Sequence, residues 1–269
     1  MARVAVQLTN FTGGELSPRL DGRNDLAKYA SGCSTLENLV VYPHGSAARR
    51  PGTNFVAAVK DSTKKTRLIP FEFSTTQTYM LEFGDQYIRF YKDNGQILSS
   101  GSAYEISTPY LEAELFDLKF AQSADVMYIC HPNHEVEKLS RTGHTSWSLT
   151  DVDFTKGPFL DPNTTATTLT PSSASTGSRT ITASAVTGIN GGSGFLATDV
   201  GRQIHFNSGY GIITGRTNTT EITVNVTTAF TNANAITNWY LGAFSDTTGH
   251  PSCVTFFEQR LVFAATLNN

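Results

Sequence analysis

Two histidines three residues apart are the feature of this sequence closest to a metal site. They occur in the segment His131-Pro132-Asn133-His134, in which proline and asparagine are typical turn residues. Zinc sites gather three or four protein ligands in one place. The sequence near these histidines offers no obvious third ligand. We therefore interpret the segment as a surface turn and expect no metal or other cofactor.

A cluster of carboxylates is the other candidate for chemistry. Glu112, Glu114 and Asp117 lie close together in the sequence, and glycosidases use a pair of carboxylates about 5 to 9.5 Å apart. The solvated face of a helix accounts for the cluster equally well. The chain also lacks the G-x-S-x-G elbow, the P-loop and the dinucleotide-binding glycine pattern. We expect that the protein is not an enzyme, with a polysaccharide depolymerase as the remaining enzymatic alternative.

The cysteines and three aromatic residues complete the set of candidates. Cys33, Cys130 and Cys253 lack the paired spacing of a zinc or redox site, so buried and inert thiols are expected. Two interpretations are open for the aromatic residues. They could stack on sugar rings and contact a glycan, or they could belong to a hydrophobic core. These aromatic residues are Tyr210, Trp239 and Tyr240.

The composition favours β structure. Only 16% of the residues are charged and 39% are hydrophobic, and abundant Thr, Ser, Asn and Gly suit pleated strands and turns. The net charge of −3 gives no case for nucleic-acid binding by electrostatic attraction. No apolar run is long enough to span a bilayer, and the first ten residues lack the apolar region of a secretion signal. We therefore expect a protein made in the cytoplasm, with no membrane-spanning segment.

Short strands joined by tight turns account for most of the first half. Alternation predicts a strand over residues 3–8, and Asp93-Asn94-Gly95 has the chemistry of a hairpin turn. A helix is predicted over 109–120, where leucines recur at helical spacing. The other predicted strands are 36–42 and 47–59 around the turn Pro43-His44-Gly45, then 67–73, 78–83 and 87–92, and then 126–131, 135–140 and 147–154.

A change in composition after Pro162 predicts a second β domain. Between residues 164 and 187 more than half of the residues are Ser or Thr, which is also compatible with a disordered linker. Apolar β-branched residues further on favour a domain. Its strands are predicted at 179–184, 202–207, 211–217, 221–227 and 238–243. Residues 251–266 then resume the earlier character, with Val254, Phe256 and the segment 261–263 as core candidates.

These patterns predict an all-β fold in four parts. They are an N-terminal arm and first hairpin (1–60), a β-meander of the parent domain (61–162), an inserted Thr/Ser-rich β-sandwich or barrel (163–247) and a return to the parent domain (248–269), beyond which we expect the chain to continue. The arm itself is expected to be irregular and extended, with at most one helical turn near 25–29. Gly13 and Gly14 permit backbone conformations closed to other residues, and Pro18 stiffens the residues after it.

The arm and the segments on both sides of the Thr-rich region resemble one protein family. The arm reads Asn-Phe-Thr-Gly-Gly-Glu-Leu-Ser-Pro over residues 10–18, and Gly45-Ser-Ala-Ala-Arg49-Arg50-Pro51 follows an Asn-containing strand. This order resembles the N-terminus of the tail-nozzle proteins of short-tailed bacteriophages, the tail tubular protein B family. The resemblance continues through 79–91 and 118–130 and resumes at 250–263, but it does not extend to 163–247.

The resemblance implies a structural role in a virion. It implies a propeller-like parent domain and a homo-oligomeric ring, usually hexameric, at the distal end of a short tail. DNA and internal proteins would pass transiently through this ring, a tail adaptor ring would lie above it, and fibres or spikes would attach at its side. The same resemblance implies localisation to the phage tail after assembly in the host cytoplasm, and a chain that is the N-terminal portion of a longer protein.

The residues expected to mediate assembly are Gly13, Gly14, Pro18, Arg49, Arg50 and Pro51. Pro51 lies within a predicted strand and favours an edge or bulge there. The two arginines could pair with carboxylates of the parent domain or of a partner, or they could contact phosphate. The arm could pack on its own β domain or cross to a neighbouring subunit. The alternatives for the whole protein are a host-glycan-binding adhesin and a docking protein for tail fibres or spikes.

Overall fold

The computed structural model describes residues 7–74 and 77–265 and confirms an all-β protein. The helices within these ranges are 3-10 turns of three residues each. None of them is long or apolar enough to pass through a membrane. The chain divides after Phe55 into two compact units, a boundary slightly earlier than the end of the predicted arm and hairpin. The predicted strand over 3–8 and the predicted turn at 75–77 lie mostly outside the described residues.

The first unit consists of turns and very short strands. Its strands and 3-10 turns are β1 (Gly14–Glu15), Pro18–Leu20, Tyr29–Ser31, β2 (Gly32–Cys33), β3 (Leu39–Val41) and β4 (Ala47–Arg49). The predicted hairpin is present as the antiparallel pair β3 and β4. The expectation of an extended arm is wrong, because β1 pairs in parallel with β2 and folds the segment between them into a loop.

Two antiparallel sheets of the second unit enclose a shared hydrophobic core. A five-stranded sheet has the order β11-β7-β6-β5 with β8 beside β7, and a four-stranded sheet has the order β12-β13-β14-β15. Trp147 packs edge-on against Phe71 and Tyr79 and stacks on Phe90, which joins the two sheets. The strands of these two sheets are β5 (Arg67–Glu72), β6 (Thr78–Gly84), β7 (Tyr87–Lys92), β8 (Gly95–Gln96), β11 (Glu105–Ser107), β12 (Lys119–Ser123), β13 (Val126–His131), β14 (His134–Gly143) and β15 (Ser146–Asp151). Between β8 and β11, the strands β9 (Leu98–Ser99) and β10 (Ser102–Ala103) pair with each other as a separate two-stranded sheet.

Local sequence signals locate most of these strands correctly. The turn at Asp93-Asn94 joins β7 to β8 with φ values of 50° and 59°, as a type I′ hairpin requires. The predicted helix over 109–120 is wrong: only Glu112–Glu114 form a 3-10 turn. Leu115 and Leu118 are fully buried and residues 119–123 pair with β13. Sheet pairing therefore prevails over the helical spacing of the leucines.

The Thr-rich region forms a further antiparallel sheet with its own core. Six strands have the order β16-β17-β20-β19-β18-β21, and the buried residues run from Leu169 to Leu241. A disordered linker is therefore excluded for this region. The strands are β16 (Leu169–Pro171), β17 (Gly177–Ala183), β18 (Gln203–Phe206), β19 (Gly209–Asn218), β20 (Glu221–Thr228) and β21 (Trp239–Leu241). The four-part division of the chain and a propeller arrangement of the parent strands stay predictions.

The last described segment is a hairpin that is largely exposed. It consists of β22 (Cys253–Phe257) and β23 (Arg260–Ala264), paired antiparallel. Phe256 and Val262, which the sequence places in a core, are exposed, and Val254 is only half-buried. The expectation of buried cysteines is also wrong for two of the three. Cys130 is buried, whereas Cys33 is half-buried and Cys253 is exposed on the largely exposed strand β22.

Candidate functional site

The N-terminal unit contains all of the residues expected to mediate assembly, but it buries almost nothing. Among residues 7–55 only Gly45 is buried, and Phe55 is 80% exposed. A segment that buries so little apolar surface gains little free energy from its own packing. The other large apolar side chains exposed in this unit are Leu8, Leu39, Val40 and Tyr42.

Gly13 and Gly14 are each needed as glycine, for different structural reasons. Gly14 has a φ of +68°, a conformation that side-chain-bearing residues rarely adopt. At Gly13 an added Cβ would approach the backbone oxygen of Lys28 to 2.8 Å, so only glycine allows the strands β1 and β2 to meet here. Pro18 begins the 3-10 turn Pro18–Leu20, where a missing N–H costs nothing. All three residues therefore shape the loop.

The two arginines differ in what holds them. Arg50 is fixed within the unit: its Nε donates to Oδ1 of Asn38 at 2.7 Å and its Nη1 to the carbonyl of Pro51 at 3.3 Å. Arg49 ends β4 and is exposed, and within the described ranges its side chain has no hydrogen bond or ion pair. Pro51 follows the strand, so its predicted place inside a strand is wrong. Arg49 is therefore the arginine available to another molecule.

The structure separates the three aromatic residues considered for glycan contact. Trp239 is 2% exposed and its indole N–H donates to the carbonyl of Thr167 at 2.9 Å, and Tyr210 is also buried. Stacking on a sugar is therefore wrong for these two residues, since their ring faces are covered. Tyr240 is half-buried and lies 5.4 Å from the ring of His205, which lies 5.4 Å from that of Phe159.

The histidine segment is a turn as predicted, but the conclusion that it lacks a third ligand is wrong. His131 and His134 face each other across the end of the β13–β14 hairpin. Glu114, from the 3-10 turn Glu112–Glu114, accepts a hydrogen bond from Nε2 of His134 at 2.8 Å. One ligand atom from each of the three residues lies within 4.8 Å of the others. The surface position is also wrong for His131, which is 3% exposed.

Burial and hydrogen bonding set the charges of this cluster. Burial lowers the pKa of His131, which favours the neutral ring. Burial alone would raise the pKa of Glu114. Hydrogen bonds from the backbone N–H of Leu111 and from His134 outweigh this and keep its pKa below the ordinary value. The cluster thus combines an ionised carboxylate with a neutral imidazole.

Glu82 of the five-stranded sheet and Glu137 of the four-stranded sheet are buried acidic residues with different environments. Glu82 accepts hydrogen bonds from the hydroxyls of Tyr87, at 2.6 Å, and Tyr91, and burial raises the pKa of Tyr91 to about 12. Glu137 is less well accommodated. Burial raises its pKa to about 7, and its Oε2 has no well-formed hydrogen bond, although the Tyr110 hydroxyl is near enough to offset part of the shift.

The carboxylates of Glu112, Glu114 and Asp117 have different environments. The carboxylate of Glu112 accepts the backbone N–H of Lys65 at 2.9 Å, whereas Glu114 binds Leu111 and His134, and Asp117 is exposed. The geometry of these residues therefore gives no support to a depolymerase.

Comparison with known proteins adds no family assignment. No protein-family model matches the chain, and no curated protein is significantly similar to it. The fold and its side chains define an all-β protein with a little-buried N-terminal loop unit.

Proposed function

We propose that this protein is a structural component of a short phage tail, which contributes to the distal nozzle ring through which DNA and internal proteins leave the particle. The observation that carries the proposal is the N-terminal unit. It is held by internal hydrogen bonds, such as those from Phe11 N–H to Gly45 O at 2.8 Å and from Gly13 N–H to Ser31 O at 2.9 Å, yet it buries almost no apolar surface.

Such a unit is suited to association with another subunit. Its loop conformation is set in advance by Gly13, Gly14 and the Arg50–Asn38 hydrogen bond, so little further ordering is needed when a partner binds. Its exposed apolar side chains and the exposed Arg49 supply two groups enriched at interfaces. The resemblance to tail-nozzle proteins falls largely on this same segment and suggests the partner: a neighbouring subunit or the adaptor ring of the tail.

Particle mass and electron microscopy of the full-length protein test this proposal. We expect a closed ring with an open axis, formed alone or after mixing with the cognate tail adaptor. Arg49→Ala should weaken assembly by about tenfold or more, since an interface arginine often contributes more than about 1.4 kcal/mol. The matched control Arg260→Ala removes another exposed arginine and should assemble normally. A full-length protein that stays monomeric both alone and with its adaptor would refute the proposal.

A glycan-binding role is a second candidate, because Tyr240, His205 and Phe159 form a row of half-buried rings. Aromatic rings that remain partly open can stack on the apolar faces of sugars. Glycan-array binding that is lost in Tyr240→Ala, but kept when Tyr104 at the edge of the other core is changed to Phe, would favour an adhesin. Absence of binding by the wild-type protein would remove this candidate.

A further inference from the structure

The hairpin between β13 and β14 places two imidazoles side by side. A turn of Pro132 and Asn133 joins the two strands, and His131 pairs with His134 at its base. The register of the two strands shifts between Ile129 and His131. A bulge of this kind turns a side chain away from the face that simple alternation would give it. His131 is therefore buried beside His134, with 5.2 Å between the ring centroids.

The third member of the cluster is held in place independently of the histidines. Oε2 of Glu114 accepts the backbone N–H of Leu111 at 3.0 Å, while the N–H of Glu114 donates to the carbonyl of Leu111 at 2.9 Å. This reciprocal pair is a capping interaction that fixes the carboxylate at the start of the turn. Asn133 also donates its side-chain N–H to Oε1 at 3.4 Å. The carboxylate thus points at the hairpin before any ion binds.

We propose that Glu114, His131 and His134 form a binding site for a divalent transition metal, with Zn²⁺ as the ion whose preferred ligands they match. Two imidazoles and one carboxylate are an established ligand set for zinc, and three protein ligands leave a fourth tetrahedral position for water. Tetrahedral bonds of about 2.0–2.1 Å require ligand atoms roughly 3.3 Å apart. The 2.8 Å between Glu114 and His134 is shorter than this value, and all three ligand atoms lie within 4.8 Å of one another.

Small side-chain movements close the remaining difference. The backbone N–H of Asn133 donates to Nδ1 of His131 at 3.3 Å, a long hydrogen bond whose loss costs little. The ring of Tyr110 contacts that of His134 edge to face at 5.2 Å and limits how far His134 can turn. Side-chain exposures of 21% for His134 and 16% for Glu114 leave an approach for the ion. One ion would connect the 3-10 turn before β12 to the β13–β14 hairpin.

A second histidine–carboxylate pair in the same unit provides a matched comparison. His250 is buried and lies 3.2 Å from Oδ1 of the exposed Asp246, but within the described residues no third ligand completes a set there. If Glu114 and His134 form an ordinary ion pair and nothing more, the two pairs should respond alike to zinc. If they belong to a three-ligand site, only the first should retain the ion.

Titration of the metal-free full chain with Zn²⁺ by calorimetry tests the site, with Co²⁺ absorption as a report of the ligands. We expect one equivalent bound, a tetrahedral Co²⁺ spectrum without the near-ultraviolet thiolate band that Cys33 or Cys253 would give, and a higher midpoint of thermal unfolding. Glu114→Gln and His134→Gln should each weaken binding by more than the roughly 10- to 100-fold typical of an outer-shell partner. His250→Gln should bind as tightly as the wild type.

The choice of variants keeps the result interpretable. The glutamine introduced by Glu114→Gln keeps an oxygen that can accept the Leu111 N–H, so this variant should fold, and circular dichroism without metal checks this. The proposal is overturned if the wild type does not bind one equivalent of Zn²⁺, or if Glu114→Gln and His134→Gln both bind Zn²⁺ as tightly as the wild type. It is also overturned if His250→Gln loses as much Zn²⁺ affinity as these two variants. A thiolate band that disappears in Cys253→Ser would likewise overturn it, by assigning the ion to a cysteine.

Discussion

Removing the charge partner of the buried arginine in the Thr-rich region should destabilise its six-stranded sheet strongly. Arg202 and Asp199 are 1% and 0% exposed and lie 2.9 Å apart. Asp199 also accepts the side-chain N–H of Asn190 at 2.7 Å and the backbone N–H of Leu196 at 2.8 Å. Asp199→Ala therefore leaves a buried guanidinium without its counter-ion and two further donors unpaired.

The expected loss is about 3–5 kcal/mol of unfolding free energy, the usual cost of breaking a buried ion pair from one side. The double variant Asp199→Ala with Arg202→Met should recover much of this loss, because no unpaired charge remains. Recovery should be incomplete, since Arg202 Nε also donates to the carbonyl of Gly242 at 2.8 Å, and an unpaired buried carbonyl costs roughly 1–3 kcal/mol.

Urea unfolding followed by tryptophan fluorescence measures this effect at the six-stranded sheet. The chain has two tryptophans: Trp239 lies in the core of the Thr-rich region and Trp147 in that of the other two sheets. A Trp147→Phe background makes Trp239 the only reporter. The reasoning is refuted if Asp199→Ala shifts the Trp239 transition by less than about 1 kcal/mol, well below the cost of breaking a buried pair, or if the double variant is no more stable than the single one.

Three further predictions concern the rest of the second unit. Burial raises the folded-state pKa of Glu137 from 4.5 to about 7, so stability should fall as the pH rises from about 5 to about 8. The loss of unfolding free energy over this pH range, measured against the Glu137→Gln variant, should be at most about 3 kcal/mol. Melting temperatures that change with pH by the same amount in both proteins would contradict this prediction. Asn94→Ala should cost about 1 kcal/mol in denaturant unfolding and Asn94→Gly almost nothing, because φ is positive there; equal costs would contradict this. Cys253 should react with a thiol reagent in the native protein and Cys130, whose pKa burial raises to about 12, only after unfolding; mass spectrometry of labelled peptides would show any early labelling of Cys130.

Local patterns in the sequence determine the fold class and most strand positions. Runs rich in Leu, Ile, Phe and Tyr locate β5, β6 and β7 almost to the residue. Asp93-Asn94-Gly95 marks the hairpin turn, whose positive φ values fall on Asp93 and Asn94. These properties depend on neighbours within a few positions along the chain. The β structure of the Thr-rich region is found in the same way, from its β-branched residues.

The tertiary structure determines which residues that are distant in the sequence become neighbours in space. Leucine spacing over 109–120 favours a helix, but the two leucines at 115 and 118 fill the core while residues 119–123 join a sheet. The sequence cannot reveal that Glu114 meets His131 and His134, because a bulge and a hairpin later in the chain bring them together. Burial likewise distinguishes Trp239 from Tyr240, although they are adjacent in the sequence, since successive residues of a strand point to opposite faces. The sequence by itself thus determined the β elements, and long-range pairing determined the cores and the candidate metal site.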